Sequence, residues 1–273
     1  MNLLLINPPE SFPGKGFNPI ELRVHMPVGL MYIASSAKKA NKVKIIDSFT
    51  LTDDLIHYTK EGKIHFGAPW NKIKKEIKKF KPDIIGLTNS FSGQVPYAIT
   101  AAKIARRIHK NALIVVGGPH ASIKPEDFLK EKEIDIAVMG EGEQTFLELI
   151  DFLQGKKKLR ELKGIMIKKE NKIFKLPPQE LIQNLDEIPF PERSLVKLKD
   201  YPGALLSKRI PDTDILSSRG CPFKCVYCSN PVWKTCKPYI RLRSPKNVAD
   251  EVELIAKQFK VKEFFDECDE FNA

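Results

Sequence analysis

The first 155 residues alternate short apolar runs with amphipathic segments, and this alternation constrains the fold more than any other feature of the chain. Five runs have the length and composition of buried strands: NLLLIN, KVKIID, DIIGLTNS, ALIVVGG and DIAVMG. A helical pattern follows each run; in PYAITAAKIARRIHK, for example, Ala98, Ala101, Ala105 and Ile108 fall on one side. Strands that alternate with helices are typical of parallel sheets covered on both faces. The sequence therefore predicts a doubly wound parallel α/β sheet.

Loops rich in glycine and small polar residues follow most of these predicted strands. They read NPPESFPG, TNSFSG, GGPHAS and GEGEQT. In a doubly wound sheet, ligands bind beyond the carboxyl ends of the strands, where a glycine lets the backbone approach a bulky ligand closely. Each glycine alone also fits an ordinary turn, but the loops together predict a binding rim. Neither a G-x-G-x-x-G nor a G-x4-G-K-[ST] motif is present, which disfavours nicotinamide and nucleoside triphosphate ligands.

The chain changes character after the fifth predicted strand and its helix. GIMIKKENKIFKLP has the pattern of a hairpin that turns at Glu170 and Asn171, and PPQELIQNLDEIPFPER is punctuated by prolines. We interpret this stretch as a connector between two domains. The predicted boundaries are 1–155 for the N-terminal domain, 156–207 for the connector and 208–273 for a second unit.

Three of the five cysteines lie on one short loop, SSRGCPFKCVYCSNP, directly after a predicted strand that ends at Ser218. Clustered cysteines in odd number, without an export signal, favour metal or redox chemistry over structural disulfides. A four-thiolate zinc site usually pairs two C-x2-C knuckles; the second knuckle is missing here, although Cys236 could supply a fourth ligand. Alternatively, Cys221, Cys225 and Cys228 hold three irons of a [4Fe–4S] cluster and leave the fourth iron open for a substrate.

The net charge of +11 raises the question of an anionic partner. In NKIKKEIKKF, however, Ile73, Ile77 and Phe80 recur at helical spacing and lysines fill the remaining face, which is typical of a solvated helix surface. No aromatic-interleaved pattern accompanies the charge, so a nucleic-acid partner is not favoured. The longest apolar run near the start, Leu3 to Ile6, is too short for a secretory core or a membrane span. We therefore expect a cytoplasmic protein without membrane contact.

The cysteine segment resembles the radical S-adenosylmethionine superfamily, whose C-x3-C-x-aromatic-C motif is matched by Cys221, Cys225, Tyr227 and Cys228. The preceding domain, with its GGPHAS and GEGE loops, is similar to the Rossmann-like cobalamin-binding domain of cobalamin-dependent radical S-adenosylmethionine enzymes. RLRSPKNVADEVELIAKQF fits the family's first barrel helix, with Ser244 as its N-cap, and KEFFDECDEFN fits its second barrel strand. The resemblance implies a cobalamin-binding domain, a connector and the first βα units of an incomplete barrel.

The resemblance also implies a set of site residues. The three loop cysteines would ligate the [4Fe–4S] cluster, and Tyr227, Asp266 and Glu267 would contact S-adenosylmethionine. His120 would border the nucleotide tail of cobalamin. The full set expected to contact cobalamin is Asn7, Thr88, Asn89, Ser90, Gly117, Gly118, His120, Gly140 and Gly142.

One departure from the family concerns the cobalt ligand. Methionine-synthase-like cobalamin domains carry D-x-H-x-x-G after the first strand, whereas this chain reads NPPESFPGKG there. We therefore expect no protein histidine below the cobalt. The other histidines are interpreted as structural or exposed: His25, His57, His65 and His109. The two cysteines outside the motif, Cys236 and Cys268, are interpreted as ordinary thiols.

The activity implied by the resemblance is reductive cleavage of S-adenosylmethionine to a 5′-deoxyadenosyl radical, with cobalamin delivering a methyl group or relaying electrons. The expected partners are a small-molecule substrate and a flavodoxin- or ferredoxin-like electron donor. Because only 52 residues follow Cys221, we expect the barrel to be incomplete and the chain alone to be inactive. Two alternatives stay open: a non-catalytic corrinoid carrier whose cysteine loop binds zinc, and an RNA-modifying radical enzyme.

Overall fold

The computed structural model describes residues 1–15, 24–170, 172–201, 207–228 and 237–271. The strands are β1 (Asn2–Asn7), β2 (Glu10–Pro13), β3 (Lys42–Asp47), β4 (Ile56–Tyr58), β5 (Lys63–Phe66), β6 (Ile84–Thr88), β7 (Leu113–Gly117), β8 (Ile136–Val138), β9 (Ile165–Lys169), β10 (Lys172–Lys175), β11 (Asp212–Ile215), β12 (Ser218–Gly220), β13 (Ile240–Leu242) and β14 (Glu263–Asp266). The α-helices are α1 (Val28–Lys38), α2 (Trp70–Lys78), α3 (Val95–Ile108), α4 (Pro119–Ile123), α5 (Glu126–Leu129), α6 (Gly142–Leu153) and α7 (Pro245–Phe259). No described helix combines the length and apolar character that crossing a bilayer requires.

The main sheet follows the order β10-β9-β8-β7-β6-β1-β3 across the described residues. Strands β3, β1, β6, β7 and β8 run parallel to one another, as the alternating sequence predicts. Counted along the chain, these parallel strands lie in the order 2-1-3-4-5, so the direction of winding reverses between β1 and β6. The fold is a mixed α/β fold with a large parallel sheet, and its switch point is at the carboxyl ends of β1 and β6.

Both faces of the sheet are buried. Side chains alternate along each strand, so consecutive apolar residues contribute to cores on opposite faces. Leu3 and Leu5 of β1 join a core with residues of α1 and α6, including Leu30 and Phe146. The intervening residues of β1, Leu4 and Ile6, join a second core on the opposite face. That core includes the apolar residues predicted for α2 and α3, of which Phe80 lies just after α2: Ile73, Ile77, Phe80, Ala98, Ala101 and Ala105.

The predicted hairpin after the parallel strands is confirmed and extends this sheet. Strands β9 and β10 pair antiparallel, and β9 pairs antiparallel with β8. Glu170 of the turn has φ 50°, and Asn171 lies outside the described residues. The hairpin lies within the predicted connector, so the connector adds two strands to the edge of the main sheet.

A small sheet, β2-β5-β4, was not anticipated from the sequence. Strand β2 lies inside the segment NPPESFPG, which reads as a loop because prolines surround it. It forms because Glu10–Pro13 finds a long-range antiparallel partner in Lys63–Phe66, whose Ile64 and Phe66 are buried. The small sheet therefore extends the backbone beyond the carboxyl end of β1.

The C-terminal unit, which comprises β11 to β14 with α7, begins as a β-α-β element. Strand β11 pairs parallel with β14, and α7 connects them. Ser244 caps α7 by accepting a hydrogen bond from the Asn247 amide at 3.1 Å, which confirms the predicted N-cap. The expectation of one strand ending at Ser218 is wrong: β11 ends at Ile215, and Ser218 begins β12, which turns away to pair antiparallel with β13.

Candidate functional site

A cavity of about 730 Å³ lies between the carboxyl ends of the parallel strands and the C-terminal unit. Its floor is apolar, with Leu5, Phe49 and Phe146 among its residues. Gly220 of β12, directly before Cys221, lines the opposite wall. Most of the predicted rim residues face this space: Asn7, Thr88, Ser90, Gly117, Gly118, Gly140 and Gly142.

Position 118 requires a glycine because of its backbone conformation and its close contact with a neighbouring loop. Its φ of 124° is rarely adopted by other residues, and a Cβ atom there would lie 2.2 Å from the carbonyl oxygen of Asn89. The Asn89 amide also donates to the Gly117 carbonyl at 2.8 Å. Gly117 and Gly118 thus let the backbones of the loops after β6 and β7 come into direct contact at the rim.

Two of the predicted cobalamin residues, Asn89 and His120, do not line the cavity. Asn89 is fully buried; its Nδ2 donates to the Phe91 carbonyl at 2.9 Å, and its Oδ1 has no partner among the described residues. His120 forms contacts with its own surroundings, through Nδ1 to Ser92 Oγ at 2.9 Å and Nε2 to Asp127 Oδ2 at 3.2 Å. The structure therefore brings seven of the nine residues to one space and keeps these two beside it.

A buried polar group supports the rim below Asn7. Asn7 Nδ2 donates to Asp47 Oδ1 at 3.1 Å, and the Tyr201 hydroxyl donates to Asp47 Oδ2 at 2.7 Å. Burial raises the pKa of Asp47 to about 6, although hydrogen bonds from Tyr201, the Phe49 amide and Asn7 oppose the rise. Burial therefore favours the protonated form of this carboxyl group beneath the rim.

Glu10, which the sequence did not single out, is a second carboxyl group of this kind. It lies in β2 and lines the cavity. Burial raises its pKa to about 7. The only sequence signal was its position directly after the first predicted strand and two prolines, where the small β2-β5-β4 sheet could not be foreseen.

Charged residues connect the rim to the C-terminal unit. Arg219 Nη1 lies 2.9 Å from Glu141 Oε1, and Arg219 Nη2 lies 2.5 Å from Glu143 Oε1. Arg241 Nη1 lies 2.9 Å from Glu141 Oε2. Although burial alone would raise the pKa of Glu141, hydrogen bonds and charge attraction from Arg241 and Arg219 hold it below its ordinary value. Three polar atoms of cavity residues are buried without a hydrogen-bond partner among the described residues: Gln179 Oε1, Ser218 Oγ and Arg241 Nε.

The three motif cysteines differ in exposure. Cys221 is buried, Cys228 is half-buried and Cys225 is exposed, and none of them forms a disulfide. The Cys228 amide donates to the Cys225 carbonyl at 3.2 Å, which closes a turn. Tyr227 is 89% exposed, and its hydrogen bond with Cys225 raises the pKa of its hydroxyl. Cys236 lies outside the described residues.

The predicted acidic residues after β14 have different roles. Asp266 Oδ1 accepts hydrogen bonds from the amides of Ser217 at 3.0 Å and Cys268 at 3.2 Å, so it shapes the backbone. Glu267 lines the cavity. With His25 and Asp214, it forms the one group in the described part of the chain whose metal-ligating atoms all lie within 4.8 Å of one another. The three motif thiols do not meet that spacing.

Known proteins are similar in sequence to this chain. Residues 22–150 match the family described as B12 binding domain. An uncharacterized methyltransferase of Pyrococcus horikoshii is 36% identical over 96% of this chain and 52% of the relative. The anaerobic magnesium-protoporphyrin IX monomethyl ester cyclase of Rubrivivax gelatinosus is 29% identical over 86% of this chain and 40% of the relative. The chain therefore spans about half the length, or less, of these curated relatives.

Solved structures share the fold. The cobalamin-dependent S-adenosylmethionine radical enzyme OxsB, with aqua-cobalamin and S-adenosylmethionine bound, matches with a TM-score of 0.71 and 21% identity over 99% of this chain and 34% of OxsB. The radical S-adenosylmethionine methyltransferase TsrM of Kitasatospora setae, with tryptophan substrate and a S-adenosylmethionine analogue bound, matches with a TM-score of 0.67 and 20% identity over 97% of this chain and 47% of TsrM. At these identities the likeness shows the fold.

Proposed function

We propose that the chain is a radical S-adenosylmethionine protein with a B12-binding domain, that it binds cobalamin in the cavity, and that Cys221, Cys225 and Cys228 hold a [4Fe–4S] cluster. One observation carries this proposal. The rim loops of the parallel sheet and Gly220, the residue before Cys221, line the same cavity. A ligand held by the sheet would therefore lie beside the cysteine loop.

The cavity residues fit a large ligand that is both apolar and rich in amide groups, as a corrin is. The volume of about 730 Å³ lies within the range of ligand pockets, and apolar walls with few polar groups are typical of them. Ser218 Oγ and Arg241 Nε are buried without partners in the described residues, and such atoms are costly unless a ligand or water satisfies them. Cobalamin amides would supply those partners.

The cysteine loop fits an iron–sulfur cluster better than a compact zinc site. Tetrahedral zinc with Zn–S bonds of about 2.3 Å brings its sulfurs to about 3.8 Å from one another. The three thiols are not within 4.8 Å of one another, whereas a cluster holds each thiolate on a separate iron. When bound, the cluster and S-adenosylmethionine would supply a 5′-deoxyadenosyl radical, and cobalamin would supply a methyl carrier or an electron relay.

We further propose methyl transfer as the reaction of the full protein. Several similar proteins have methyltransferase names, and the chain covers about half of the length of two of them. The proposed reaction therefore belongs to the whole protein. The same holds for its proposed partners, a small-molecule substrate and a flavodoxin- or ferredoxin-like electron donor. Glu267 lines the cavity and Asp266 holds the preceding backbone. Tyr227 is exposed on the cysteine loop. These three side chains are the proposed S-adenosylmethionine contacts. We also propose that the protein is cytoplasmic, with an N-terminal domain at 1–155, a connector at 156–207 and a second unit at 208–273.

Cobalamin binding can be tested by blocking the cavity without disturbing the fold. Gly29 lines the cavity, and a Cβ atom there meets nothing within 4 Å. Gly29→Phe should therefore lower hydroxocobalamin binding at least tenfold, measured by equilibrium dialysis, and leave the melting temperature unchanged. Gly93→Phe is the matched control, because Gly93 has equal space outside the cavity. Equal binding by wild type and Gly29→Phe would contradict the proposed location.

The cluster can be tested by anaerobic reconstitution with iron and sulfide. Wild type should hold about four irons and four sulfides per chain, with an oxygen-sensitive brown colour. Alanine at Cys221, Cys225 or Cys228 should abolish this loading. Cys268→Ala is the control, since Cys268 lies after β14 and outside the motif. A colourless protein that binds zinc stoichiometrically and no iron would refute the cluster.

A further inference from the structure

Four charged side chains join the rim of the cavity to strands β12 and β13, which flank the cysteine loop. Glu141 is the N-cap residue of α6 and Glu143 lies in its first turn, whereas Arg219 and Arg241 lie on β12 and β13. We call these four residues the rim charge cluster. Their side chains are 9 to 18% exposed, so they are screened little by salt.

The two arginines are adjacent because of strand register. Arg219 pairs directly with Arg241 across the β12–β13 ladder. Like charges opposite each other in an antiparallel pair destabilise it. Glu141 removes this conflict because its two oxygens accept from both guanidinium groups, each at 2.9 Å. The strand pair that flanks the cysteine loop therefore depends on a carboxylate from the N-terminal domain.

Other contacts fix the direction of each arginine. The Arg219 guanidinium lies 5.0 Å from the centre of the Tyr32 ring in α1, and Arg241 Nη1 donates to the Ile182 carbonyl at 2.7 Å. The Ile182 amide in turn donates to Glu141 Oε2 at 3.0 Å. Arginine suits this site because its planar fork can hold two carboxylates and a ring face at once, which a lysine ammonium cannot.

The rim charge cluster spans both proposed cofactor sites. Glu141, Gly142 and Glu143 line the cavity, and Arg219 lies two residues before Cys221. A displacement of the loop before α6 therefore moves the backbone that begins the cysteine motif. We propose that the rim charge cluster couples the two sites, with Arg219 as a positioning residue, so that cobalamin binding and [4Fe–4S] cluster binding strengthen each other. This inference rests on the proposed function.

Coupling of this kind is reciprocal: if the assembled [4Fe–4S] cluster raises the affinity for cobalamin, cobalamin raises the affinity for the [4Fe–4S] cluster by the same factor. Typical couplings are about 5- to 150-fold. In wild type we expect at least a fivefold lower Kd for hydroxocobalamin after anaerobic reconstitution than before it. Without Arg219 the rim charge cluster keeps only the Arg241–Glu141 pair, so the ratio should fall towards one.

The experiment compares this Kd ratio between variants by equilibrium dialysis. Arg219→Gln should reduce the ratio to below about twofold while each site still loads separately. Arg219→Lys should restore part of it, since the charge is retained without the fork. Arg107→Gln, a matched replacement at an exposed position of α3, should keep the wild-type ratio. Unchanged coupling in Arg219→Gln would overturn the inference.

A wild-type measurement covers the case in which Arg219→Gln fails to fold. Hydroxocobalamin added to the chain without iron should slow amide hydrogen exchange in residues 221–228 severalfold, although the cavity lining in this segment ends at Gly220. Binding without any added protection there would overturn the inference and leave the proposed function intact. Loss of cobalamin binding and iron loading in wild type would overturn both.

Discussion

Replacing Glu251 by glutamine should strongly destabilise the C-terminal unit. Glu251 lies on α7 and is 0% exposed. Its Oε1 accepts from Arg193 Nη1 at 2.6 Å, and its Oε2 accepts from Arg243 Nη1 at 2.5 Å. The same arginines donate to the carbonyls of Asp214 at 2.7 Å and Leu216 at 2.8 Å. One carboxylate thus holds two buried cations that also satisfy the backbone at the end of β11.

The magnitude follows from these contacts. A hydrogen bond to a charged group contributes about 1.5–3 kcal/mol, and removing one partner of a buried ion pair costs about 3–5 kcal/mol. Glutamine keeps the shape of Glu251 and one acceptor oxygen but loses the charge that compensates two guanidinium groups. We therefore expect Glu251→Gln to lower the free energy of unfolding by about 3 kcal/mol, and Glu251→Ala to lower it further.

The measurement is urea unfolding followed by far-ultraviolet circular dichroism, with the slope checked for a change in cooperativity. Hydrogen exchange should locate the loss in β11 and α7. Glu253→Gln is the control on the same helix, since Glu253 pairs with Lys257 at the exposed surface and such pairs contribute about 0–1 kcal/mol. A loss below about 1 kcal/mol for Glu251→Gln would refute the argument that this carboxylate holds the unit together.

Substitutions at three further positions test other parts of the fold. Gly118→Ala should destabilise by at least about 2 kcal/mol in thermal unfolding, because of its φ of 124° and the 2.2 Å approach to the Asn89 carbonyl; a cost below 0.5 kcal/mol by the same measure, about that of a neutral surface substitution, would contradict this. Burial raises the pKa of Asp47 to about 6 in the folded protein, above its value of about 3.9 in the unfolded chain. The contribution of Asp47 to the free energy of unfolding should therefore be fully present below about pH 4 and decline by about 3 kcal/mol as pH rises to about 6. Asp47→Asn should remove this decline from urea midpoints measured across that range. Ser244→Ala should cost about 1 kcal/mol through loss of the N-cap, and Ser244→Asp should recover it.

Local patterns predicted the elements that local forces specify. The period of apolar residues located the five parallel strands, and Leu30, Ala34 and Ala37 of α1 are buried as their spacing indicates. The N-cap at Ser244 was equally readable, since a capping side chain acts within its own turn. The β2-β5-β4 sheet was missed because its three- and four-residue strands are stable only through pairing with distant partners.

The charged residues of the site were missed for a related reason. The rim charge cluster joins positions 141 and 143 to positions 219 and 241, and no local pattern links them. Glu251 did leave a signal: it lies three residues after Val248 and four before Ile255, on the apolar side of α7. A charged residue inside an apolar helical stripe indicates a buried partner. The partners themselves, Arg193 and Arg243, could be found only from the fold.

Apolar burial and these charges contribute different things to the joint between the sheet and the C-terminal unit. The core that contains Leu3 and Leu5 also contains Ile215, Ile255 and Val261 of the C-terminal unit. Burial of these apolar side chains stabilises the contact between the sheet and that unit. Hydrophobic contact is non-directional, so it cannot determine which residues of the cysteine loop face the cavity. Hydrogen-bonded ion pairs have strict geometry, and those between Arg219 or Arg241 and the start of α6 lie at the cavity itself. Because a buried pair contributes little net stability while its geometry is demanding, we infer that these pairs set the position of the cysteine loop against the rim.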